Sequence, residues 1–503
     1  MKIFTAAQIR RWEAQTMQQQ GISSIDLMQR AAIACYQWIN EHIKLQAPEY
    51  FHVCCGQGNN GGDGLALAAL LLEGGYQVTT YLLPDAGKQS AAFDYNVSRL
   101  QKLNCPIIEV KSSEDFPVLG KEDCVIDALL GIGLNRPLQD LPALLVEHIN
   151  CAACIVVSID VPSGMLTDES SINLLKVQAT HTLSFQHYKL CFLLPENGKD
   201  IGVLQLLDIG LDSHFVATET AGFIMSDKQL IQSIYLPRDQ FAHKGNFGHA
   251  YLLAGSFGKM GAAVLCAQAC LRAGVGLLTV HVPTTGVEIL QISTPEAMIV
   301  TGDDEPISRY AALGIGPGMG TEPQAVSLLR NVFQKLNSLS EERKKVSIVL
   351  DADALNILSA HPELLEQLPA DSILTPHPKE FERLFGKSAN DFERIKLAEQ
   401  KANELQCCII LKGHHTFIAS PGHPGYFNST GNAGMATGGS GDVLTGILTG
   451  LLAQGYSSLH ACLLGVYLHG SAGDLAAGKH SQEAMVASDI TNCLGNAFLR
   501  LNE

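Results

Sequence analysis

The sequence lacks any uninterrupted hydrophobic run long enough to cross a membrane. Glycine, glutamine or a charged residue breaks each candidate, as Gln268 and Arg272 do in the run after Met260. A spanning helix needs about 20 successive apolar residues. The beginning of the chain also lacks the pattern of a signal peptide, because Thr5 and Gln8 match the capping box of a helix. We therefore expect a cytoplasmic protein that is not held in a membrane.

Basic residues are also scarce. The chain has 34 lysines and arginines against 50 aspartates and glutamates, which gives a net charge of −16. Proteins that bind nucleic acid along its phosphate backbone need a basic surface. The composition therefore excludes nucleic acid as a partner, and any anionic ligand must be held by a local site.

A metal-binding or redox pattern is missing as well. The 14 cysteines form no framework, and no HExxH motif occurs. Cys151 and Cys154 form a CxxC pair, but they run directly into the β-branched residues 155–157 and have no second pair. His414 and His415 have no third ligand nearby in the sequence. We expect no zinc site, and cysteines that stay as thiols in a reducing cytosol.

The length and the periodicity of the chain predict two α/β domains. A chain of 503 residues is too long for one core, and strand-like runs alternate with helix-like runs in both halves, which favours mostly parallel sheets. Around 212–240 the apolar periodicity weakens, so we place the domains at 1–214 and 224–503. The strand candidates are 51–55, 77–83, 124–127, 155–159 and 182–185, then 250–253, 277–282, 347–350, 373–375 and 408–411.

The second half contains a glycine-rich loop, 432–446, that reads NAGMATGGSGDVLTG and leads into the apolar stretch 447–453. Glycines at 438, 439 and 441 allow a tight turn whose N–H groups converge, and a following helix adds its positive end. This pattern predicts a phosphate site. Asp442 lies within it, and a carboxylate beside a polyanion suggests proton transfer. The alternative interpretation is a turn in which Asp442 only caps the helix.

Polar loops follow three strand candidates of the first half. After 51–55 comes GQGNNGGDG, which matches GxGxxG, and Asp85 follows the next strand where a ribose-binding acid would lie. Asparagines and an aspartate in this loop suggest direct ligand contact, unlike an ordinary dinucleotide loop. Asp127 and Asp160 also end strands. Because the carboxyl ends of parallel strands meet at one edge, we expect these loops to form one pocket.

The motifs GNNGGDG, DALLGIGLNRP and SIDVPSG resemble the NAD(P)H-hydrate epimerase domain. This resemblance implies a Rossmann-like three-layer sandwich that inverts the hydrated carbon of damaged NADH or NADPH, with Asp160 as a catalytic residue. It also implies a potassium ion bound by Asn60, Asp127 and Ser163. The implied substrate-binding residues are Asn59, Asn60, Gly61, Gly62, Asp63, Gly131, Ile132, Gly133, Leu134, Asn135, Arg136, Pro137 and Asp160.

The segments GIGPGMG, LDADAL, TPHPKE and KGHHT, together with the loop around Asp442, resemble the ADP-dependent NAD(P)H-hydrate dehydratases of the ribokinase-like fold. The resemblance implies that Ala262, Gly318, His377 and Asp442 bind the hydrated nucleotide. The implied adenine-nucleotide residues are Lys412, Gly413, His414, His415, Thr416 and Gly441.

The implied reaction is phosphorylation of the ring hydroxyl followed by its departure, with Asp442 as the base and ADP and Mg²⁺ as phosphoryl donor and metal. Two alternatives remain at the sequence level. A vitamin or sugar kinase of the same fold would keep the phosphate on its product, and a nucleotide sensor would bind without catalysis. We also expect a homo-oligomer.

Overall fold

The computed structural model describes residues 1–43, 48, 50–84, 91–302, 304–338 and 346–502, so Asp85 lies outside the described residues. The chain divides into two compact units. The first comprises Lys2–Gly222 with Asn390–Phe392, and the second comprises Met1, Phe223–Ala389 and Glu393–Glu503.

The first unit is built on a parallel sheet. The short strand β1 (Lys2–Ile3) is not part of this sheet. The strands that form it are β2 (Phe51–Cys55), β3 (Val78–Leu82), β4 (Ile107–Glu109), β5 (Cys124–Ala128), β6 (Ile155–Ile159), β7 (His181–Phe185) and β8 (Val203–Leu207). Strands β2 to β8 follow the order β4-β3-β2-β5-β6-β7-β8, and every pair is parallel. Its first six strands reproduce the 3-2-1-4-5-6 order of a Rossmann-like sheet.

Helices cover both faces of this sheet. They are α1 (Ala6–Gln20), α2 (Ser24–His42), α3 (Asn59–Glu73), α4 (Ala91–Lys102), α5 (Asp140–Asn150), α6 (Gly198–Ile201) and α7 (Ser213–Thr218), with 3-10 helices at Ser113–Asp115, Leu190–Leu193 and Pro195–Asn197. Val53 of β2 packs in a core with α2, α3 and α4, whereas Cys54 packs in another with α5. Since successive strand residues point to opposite faces, the unit has three layers, as predicted.

The second unit contains a longer mixed sheet. Its strands are β9 (Phe223–Ser226), β10 (His249–Leu253), β11 (Leu277–His281), β12 (Met298–Val300), β13 (Ala312–Ile315), β14 (Ser347–Leu350), β15 (Ile373–Leu374), β16 (Cys408–Leu411), β17 (Phe417–Ala419) and β18 (Gly425–Asn428). They follow the order β9-β18-β17-β16-β15-β14-β13-β10-β11-β12. Only β17 runs antiparallel to its neighbours among the strands described in this unit.

Helices surround the sheet of this unit, and two of them pack with their backbones in contact. The helices are α8 (Lys228–Ile234), α9 (Met260–Arg272), α10 (Val287–Ser293), α11 (Pro323–Asn337), α12 (Asp353–Ala360), α13 (Pro362–Leu365), α14 (Pro378–Phe385), α15 (Asp391–Leu405), α16 (Ser440–Ala453), α17 (Ser458–His480) and α18 (Ala487–Asn502), with 3-10 helices at Lys244–Phe247, Thr284–Gly286, Ile307–Arg309 and Ala433–Met435. A Cβ on Gly446 of α16 would lie 2.2 Å from the carbonyl oxygen of Cys266 in α9. Glycine there lets the two helices pack backbone to backbone, which anchors α16 in the core.

The predicted α/β class with mostly parallel sheets is confirmed. The capping box of Thr5 and Gln8 at the start of α1 is also confirmed. The cysteines are free thiols, and all but Cys151 are buried. Across the part of the chain that the structure describes, no helix combines the length and the apolar character that crossing a bilayer requires.

Candidate active sites

The loop after β2 in the first unit turns tightly before α3 begins. A Cβ on Gly61 would lie 1.7 Å from the carbonyl oxygen of Gly56, so only glycine fits there. Gly58 precedes α3 with no side-chain cap, which leaves the first N–H groups of the helix available to a ligand. The structure thus places a helix start at the carboxyl edge of the sheet.

This helix start opens onto a cavity of about 430 Å³. The cavity receives most of the residues that the sequence assigned to the substrate, whereas Gly61, Gly62 and Pro137 do not line it. Arg10, Glu13, Gly58, Leu129, Leu130 and Phe185 also line it, and these residues were not predicted to bind the substrate. The predicted residues in its wall are Asn59, Asn60, Asp63, Gly131, Ile132, Gly133, Leu134, Asn135, Arg136 and Asp160.

Asp160 is held rigidly at the cavity wall. It adopts the left-handed region at φ 69°, and its Oδ1 lies 2.8 Å from Nζ of the buried Lys189. Its Oδ2 accepts a hydrogen bond of 3.2 Å from the N–H of Ile132, and Lys189 also donates to Ser184. A non-glycine residue at positive φ persists only where its surroundings fix it, which is a common property of functional positions.

Two further carboxyl groups share this cavity. Burial, reinforced by the nearby charge of Asp160 and opposed by Lys189 and Arg10, raises the pKa of Glu13 to about 7. Burial and the charges of Asp160 and Glu13 also raise the pKa of Asp63 well above its usual range. The cavity therefore combines a carboxylate paired with an ammonium and carboxyl groups that hold protons near neutral pH.

Asp127 and Ser163 lie behind the cavity in a fully buried network. Asp127 accepts hydrogen bonds from Ser163 Oγ at 2.6 Å, Ser163 N at 2.9 Å and Ser158 Oγ at 2.7 Å. Burial raises the pKa of Asp127, although these hydrogen bonds oppose the increase. Asn60 differs, because both polar atoms of its buried amide lack a hydrogen-bond partner in the structure. Such buried atoms require a ligand, an ion or water.

The second candidate site is assembled by strand register in the other unit. Leu253 of β10 lies opposite Ile315 of β13, and Ile315 lies opposite Leu350 of β14. Strand β14 also pairs with β15, and β15 pairs with β16, Cys408–Leu411. The loops after these strands therefore emerge side by side at one edge of the sheet. They carry GSFGKMG, GPGMG, DAD, TPHPKE and KGHHT.

The helix α16 begins at this edge, as the glycine-rich motif predicted. Gly439 precedes it at φ 91°, and a Cβ there would lie 2.5 Å from Leu265 Cδ1. Asp442 lies in the first turn. Burial, followed by the charge of Asp351 and opposed by Lys412, raises the pKa of Asp442 to about 6. Asp442 is therefore largely ionised at neutral pH yet basic enough to accept a proton.

Lys412 supplies a positive charge at this edge. Its Nζ lies 2.8 Å from Oδ1 of Asp351 and 3.9 Å from Oε2 of Glu380. Burial alone would lower the pKa of Lys412, but these two carboxylates keep it above its usual value. Thr445 of α16 donates a 2.8 Å hydrogen bond to Oδ2 of Asp351. A Cβ on Gly441 would lie 3.4 Å from Lys412 Nζ, so these two predicted nucleotide residues adjoin.

The residues predicted for the hydrated nucleotide lie around the same loops. Gly318 has φ 61°, and a Cβ there would lie 3.0 Å from Ala262 Cβ. The backbone at Gly318 therefore lies against the side chain of Ala262. His377 caps α14 by accepting hydrogen bonds from the N–H groups of Lys379 and Glu380. Burial lowers the pKa of His377, so its ring is largely neutral near pH 7.

The KGHHT turn adds hydrogen-bonding groups beside Lys412. Thr416 Oγ1 donates to the carbonyl oxygen of Gly413 at 3.1 Å, and His415 Nδ1 lies 3.2 Å from the carbonyl oxygen of Asn428. The His414 and His415 rings meet edge to face at 4.4 Å. Burial and the neighbouring His414 lower the pKa of His415 to about 4, which keeps this ring neutral.

Three acidic residues at this edge had no predicted role, although they belong to motifs of the predicted site. Asp351 and Asp353 both belong to LDADAL, and Glu380 ends TPHPKE. Asp353 accepts a 2.9 Å hydrogen bond from the N–H of Gly320, which links it to the GPGMG loop. Acidic residues directly after a buried strand were the available signal. Lys189 and Glu13 had no comparable signal, because each is isolated in its own helix or loop.

Known proteins match the chain in both units. Residues 250–496 match the family described as NAD(P)H-hydrate dehydratase, and residues 24–191 match the family described as YjeF-related protein N-terminus. The bifunctional NAD(P)H-hydrate repair enzyme Nnr of Moorella thermoacetica is 34% identical over 525 residues, covering 100% of this chain and 98% of the relative. Its counterpart in Escherichia coli is 32% identical over 502 residues, covering 98% of this chain and 93% of the relative.

A solved structure also resembles part of the chain. The ADP/ATP-dependent NAD(P)H-hydrate dehydratase of Bacillus subtilis, co-crystallised with ATP and Mg²⁺, is 30% identical and covers 55% of this chain and 98% of that chain, with a TM-score of 0.48.

Proposed function

The chain belongs to the family of bifunctional NAD(P)H-hydrate repair enzymes, and from this premise we propose how its two units divide the reaction. The protein repairs hydrated NADH and NADPH by epimerisation and dehydration. In our proposal residues 1–214 interconvert the R and S hydrates, and residues 224–503 dehydrate the S form. The division makes chemical sense, because epimerisation converts the R hydrate, which the dehydratase cannot use, into the S hydrate, which it can.

The dehydratase assignment depends on one observation above all: Asp442 lies at the start of α16 beside the Lys412–Asp351 pair. A ring hydroxyl leaves poorly as hydroxide. Asp442 removes its proton so that the oxygen attacks the terminal phosphorus of ADP, and AMP departs. The electron pair of the adjacent ring nitrogen then expels the group as phosphate and leaves an iminium ion. The neighbouring ring carbon loses a proton to solvent, its C–H electron pair forms the ring double bond, and NADH or NADPH remains.

The residues around Asp442 stabilise the transferred group. The N–H groups at the start of α16, near Gly441, point toward the phosphoryl oxygens. A preorganised donor of this kind stabilises the transition state by about 3 kcal/mol. Lys412 adds a fixed positive charge for the phosphates. Magnesium, when bound, neutralises phosphate charge. Asp351 already accepts hydrogen bonds from Lys412 and Thr445, so we place the metal chiefly on the phosphates themselves.

In the first unit, we propose that the 430 Å³ cavity binds the hydrated nicotinamide and that Asp160 transfers a proton there. The unpartnered amide of Asn60 fits a potassium ion, because its oxygen is a neutral, hard ligand without another partner. Asp127 and Ser163 would complete the oxygen ligands. Potassium would supply positive charge and fix the loop around Asn60. Cytoplasmic location and homo-oligomeric assembly remain predictions from the sequence.

Product analysis tests the assignment. Purified protein is incubated with hydrated NADH, ADP and Mg²⁺, and nucleotides are separated by HPLC. We expect NADH, AMP and phosphate in equal amounts. Accumulation of a phosphorylated hydrate would instead indicate a kinase, and binding of ADP without turnover would indicate a nucleotide sensor.

A further inference from the structure

The cavity of the first unit contains the carboxyl group of Glu13, which has no role in the reaction described above. Glu13 lines this cavity together with Asp160 and Ile132. It belongs to α1, whereas Asp160 follows β6. The two carboxyl groups therefore reach the same cavity from separate elements, and a substrate ring between them would present a different atom to each.

The helix that carries Glu13 is firmly positioned. Thr5 and Gln8 form a capping box at its start, and the buried Trp12 donates a 2.7 Å hydrogen bond to the carbonyl oxygen of Asp212. Arg10 lies three residues before Glu13, so both side chains project from one face of α1 into the cavity. Arg10 also donates to the carbonyl oxygen of Ile132 at 3.4 Å. A rigid helix is suited to holding a proton-transfer group in place.

The surroundings of the two carboxyl groups differ in charge. Asp160 contacts the Lys189 ammonium at 2.8 Å and accepts a hydrogen bond of 3.2 Å from the N–H of Ile132. Glu13 forms no ion pair within the described residues, and its protonated form is favoured by burial and by Asp160, against the charges of Lys189 and Arg10. Pairs of carboxyl groups with opposed environments commonly divide into a base and an acid.

We propose that Glu13 is the general acid that works opposite Asp160 in the epimerisation, an inference that rests on the proposed function of this unit. Asp160 removes the proton from the ring hydroxyl, and the bond between the hydroxyl-bearing carbon and the ring nitrogen breaks. Its electron pair stays on nitrogen, which takes the proton from Glu13, and the carbon becomes an aldehyde.

Ring closure then reverses these transfers on the other face. The aldehyde rotates about its single bond, nitrogen attacks the opposite face of the carbonyl, and Glu13 recovers the nitrogen proton. Asp160 returns its proton to the new hydroxyl. Atoms and electrons balance, and the step needs no oxidant, reductant or second substrate.

The pH dependence follows from the state of Glu13. Glu13 must be protonated to act, and the pKa of its carboxyl is raised to about 7 by burial and by Asp160, against Lys189 and Arg10. The other ionisable groups in the cavity wall are Asp63 and Arg136. We therefore expect epimerase kcat/KM to fall above about pH 7, tenfold per pH unit once Glu13 is ionised.

The test compares the full-length protein with Glu13→Gln, and with Glu41→Gln as a control at an exposed glutamate of α2. Chiral separation measures interconversion of purified R and S hydrates over pH, corrected for the rate without enzyme. We expect Glu13→Gln to lose about 100-fold or more of kcat/KM at low pH and to lose the alkaline decline. Glu41→Gln should match the original protein.

Circular dichroism and the dehydratase rate of the same preparations show whether the variant is folded, and Glu13→Asp supplies a second variant that keeps an acid. We expect Glu13→Asp to retain a pH-dependent decline with partial activity. An unchanged profile in folded Glu13→Gln would overturn the inference, as would a decline that disappears only in Asp63→Asn. If the original protein did not interconvert the hydrates at all, the proposed function itself would fail.

Discussion

Replacing Asp442 by asparagine should separate catalysis from stability in the second unit. Asparagine keeps nearly the same shape but cannot accept the hydroxyl proton. General-base catalysis contributes about 10²–10⁴-fold, so we expect dehydration to slow by that factor. Epimerisation, which uses the cavity lined by Asp160, should continue at its original rate.

The structure also predicts that this variant is more stable above about pH 7. Burial raises the pKa of Asp442 from its ordinary value of 3.8 to about 6. The folded form therefore binds a proton more tightly than the unfolded form, so the original protein loses stability as pH rises from about 4 to 6. A shift of about two units corresponds to a cost on the order of 3 kcal/mol once the carboxyl is ionised.

Urea unfolding of both proteins at several pH values measures this difference. At about pH 8 we expect Asp442→Asn to unfold at higher urea concentration than the original protein, and below about pH 4 the gain should vanish. Asp304→Asn, at an exposed site in the same unit, is the control. The initial rate of NADH formation at its absorbance band gives the dehydratase activity. Retained dehydration would remove Asp442 as the base, and an equal gain at both pH extremes would show that its charge does not cause the instability.

Two further predictions concern charged groups. Lys412→Met should weaken ADP binding and lower the free energy of unfolding by about 3 kcal/mol, because Asp351 and Glu380 lose their cation. Calorimetry measures the ADP affinity and urea unfolding measures the stability, with Lys387→Met as an exposed control. Unaltered ADP affinity would contradict the phosphate role of Lys412. Asp127→Ala should slow epimerisation and abolish its dependence on potassium, measured as the rate over a potassium titration, and an identical titration would refute the ion site.

Several buried strands were predictable from the sequence because they carry a continuous apolar signal, although the candidates did not include the buried strands β13, β17 and β18. The candidates 51–55, 155–159, 347–350 and 408–411 coincide with observed strands. Strands β4 and β12 were not predicted, since each has three residues that are largely not buried. Their pairing is decided by neighbouring strands more than by their own composition.

More of the site in the second unit than of the site in the first unit could be predicted from the sequence. The loop at Asp442 was found because glycines before a helix have a clear physical meaning, and the structure does place the helix start there. Lys189 and Glu13 were missed because their importance depends on residues far away in the chain. Lys189 lies 29 positions after its partner Asp160, and the residues next to Lys189 in the sequence do not indicate that it forms this ion pair.

The most direct test of bifunctional repair is the recovery of reduced-nicotinamide absorbance from each separated epimer. With ADP and Mg²⁺, the S hydrate should be restored by the original protein and by Asp160→Ala alike. The R hydrate should be restored by the original protein but not by Asp160→Ala, and Asp442→Asn should restore either hydrate about 10²–10⁴-fold more slowly. Restoration of the R hydrate by folded Asp160→Ala, faster than the enzyme-free interconversion of the two hydrates, would contradict the assignment of separate reactions to the two units.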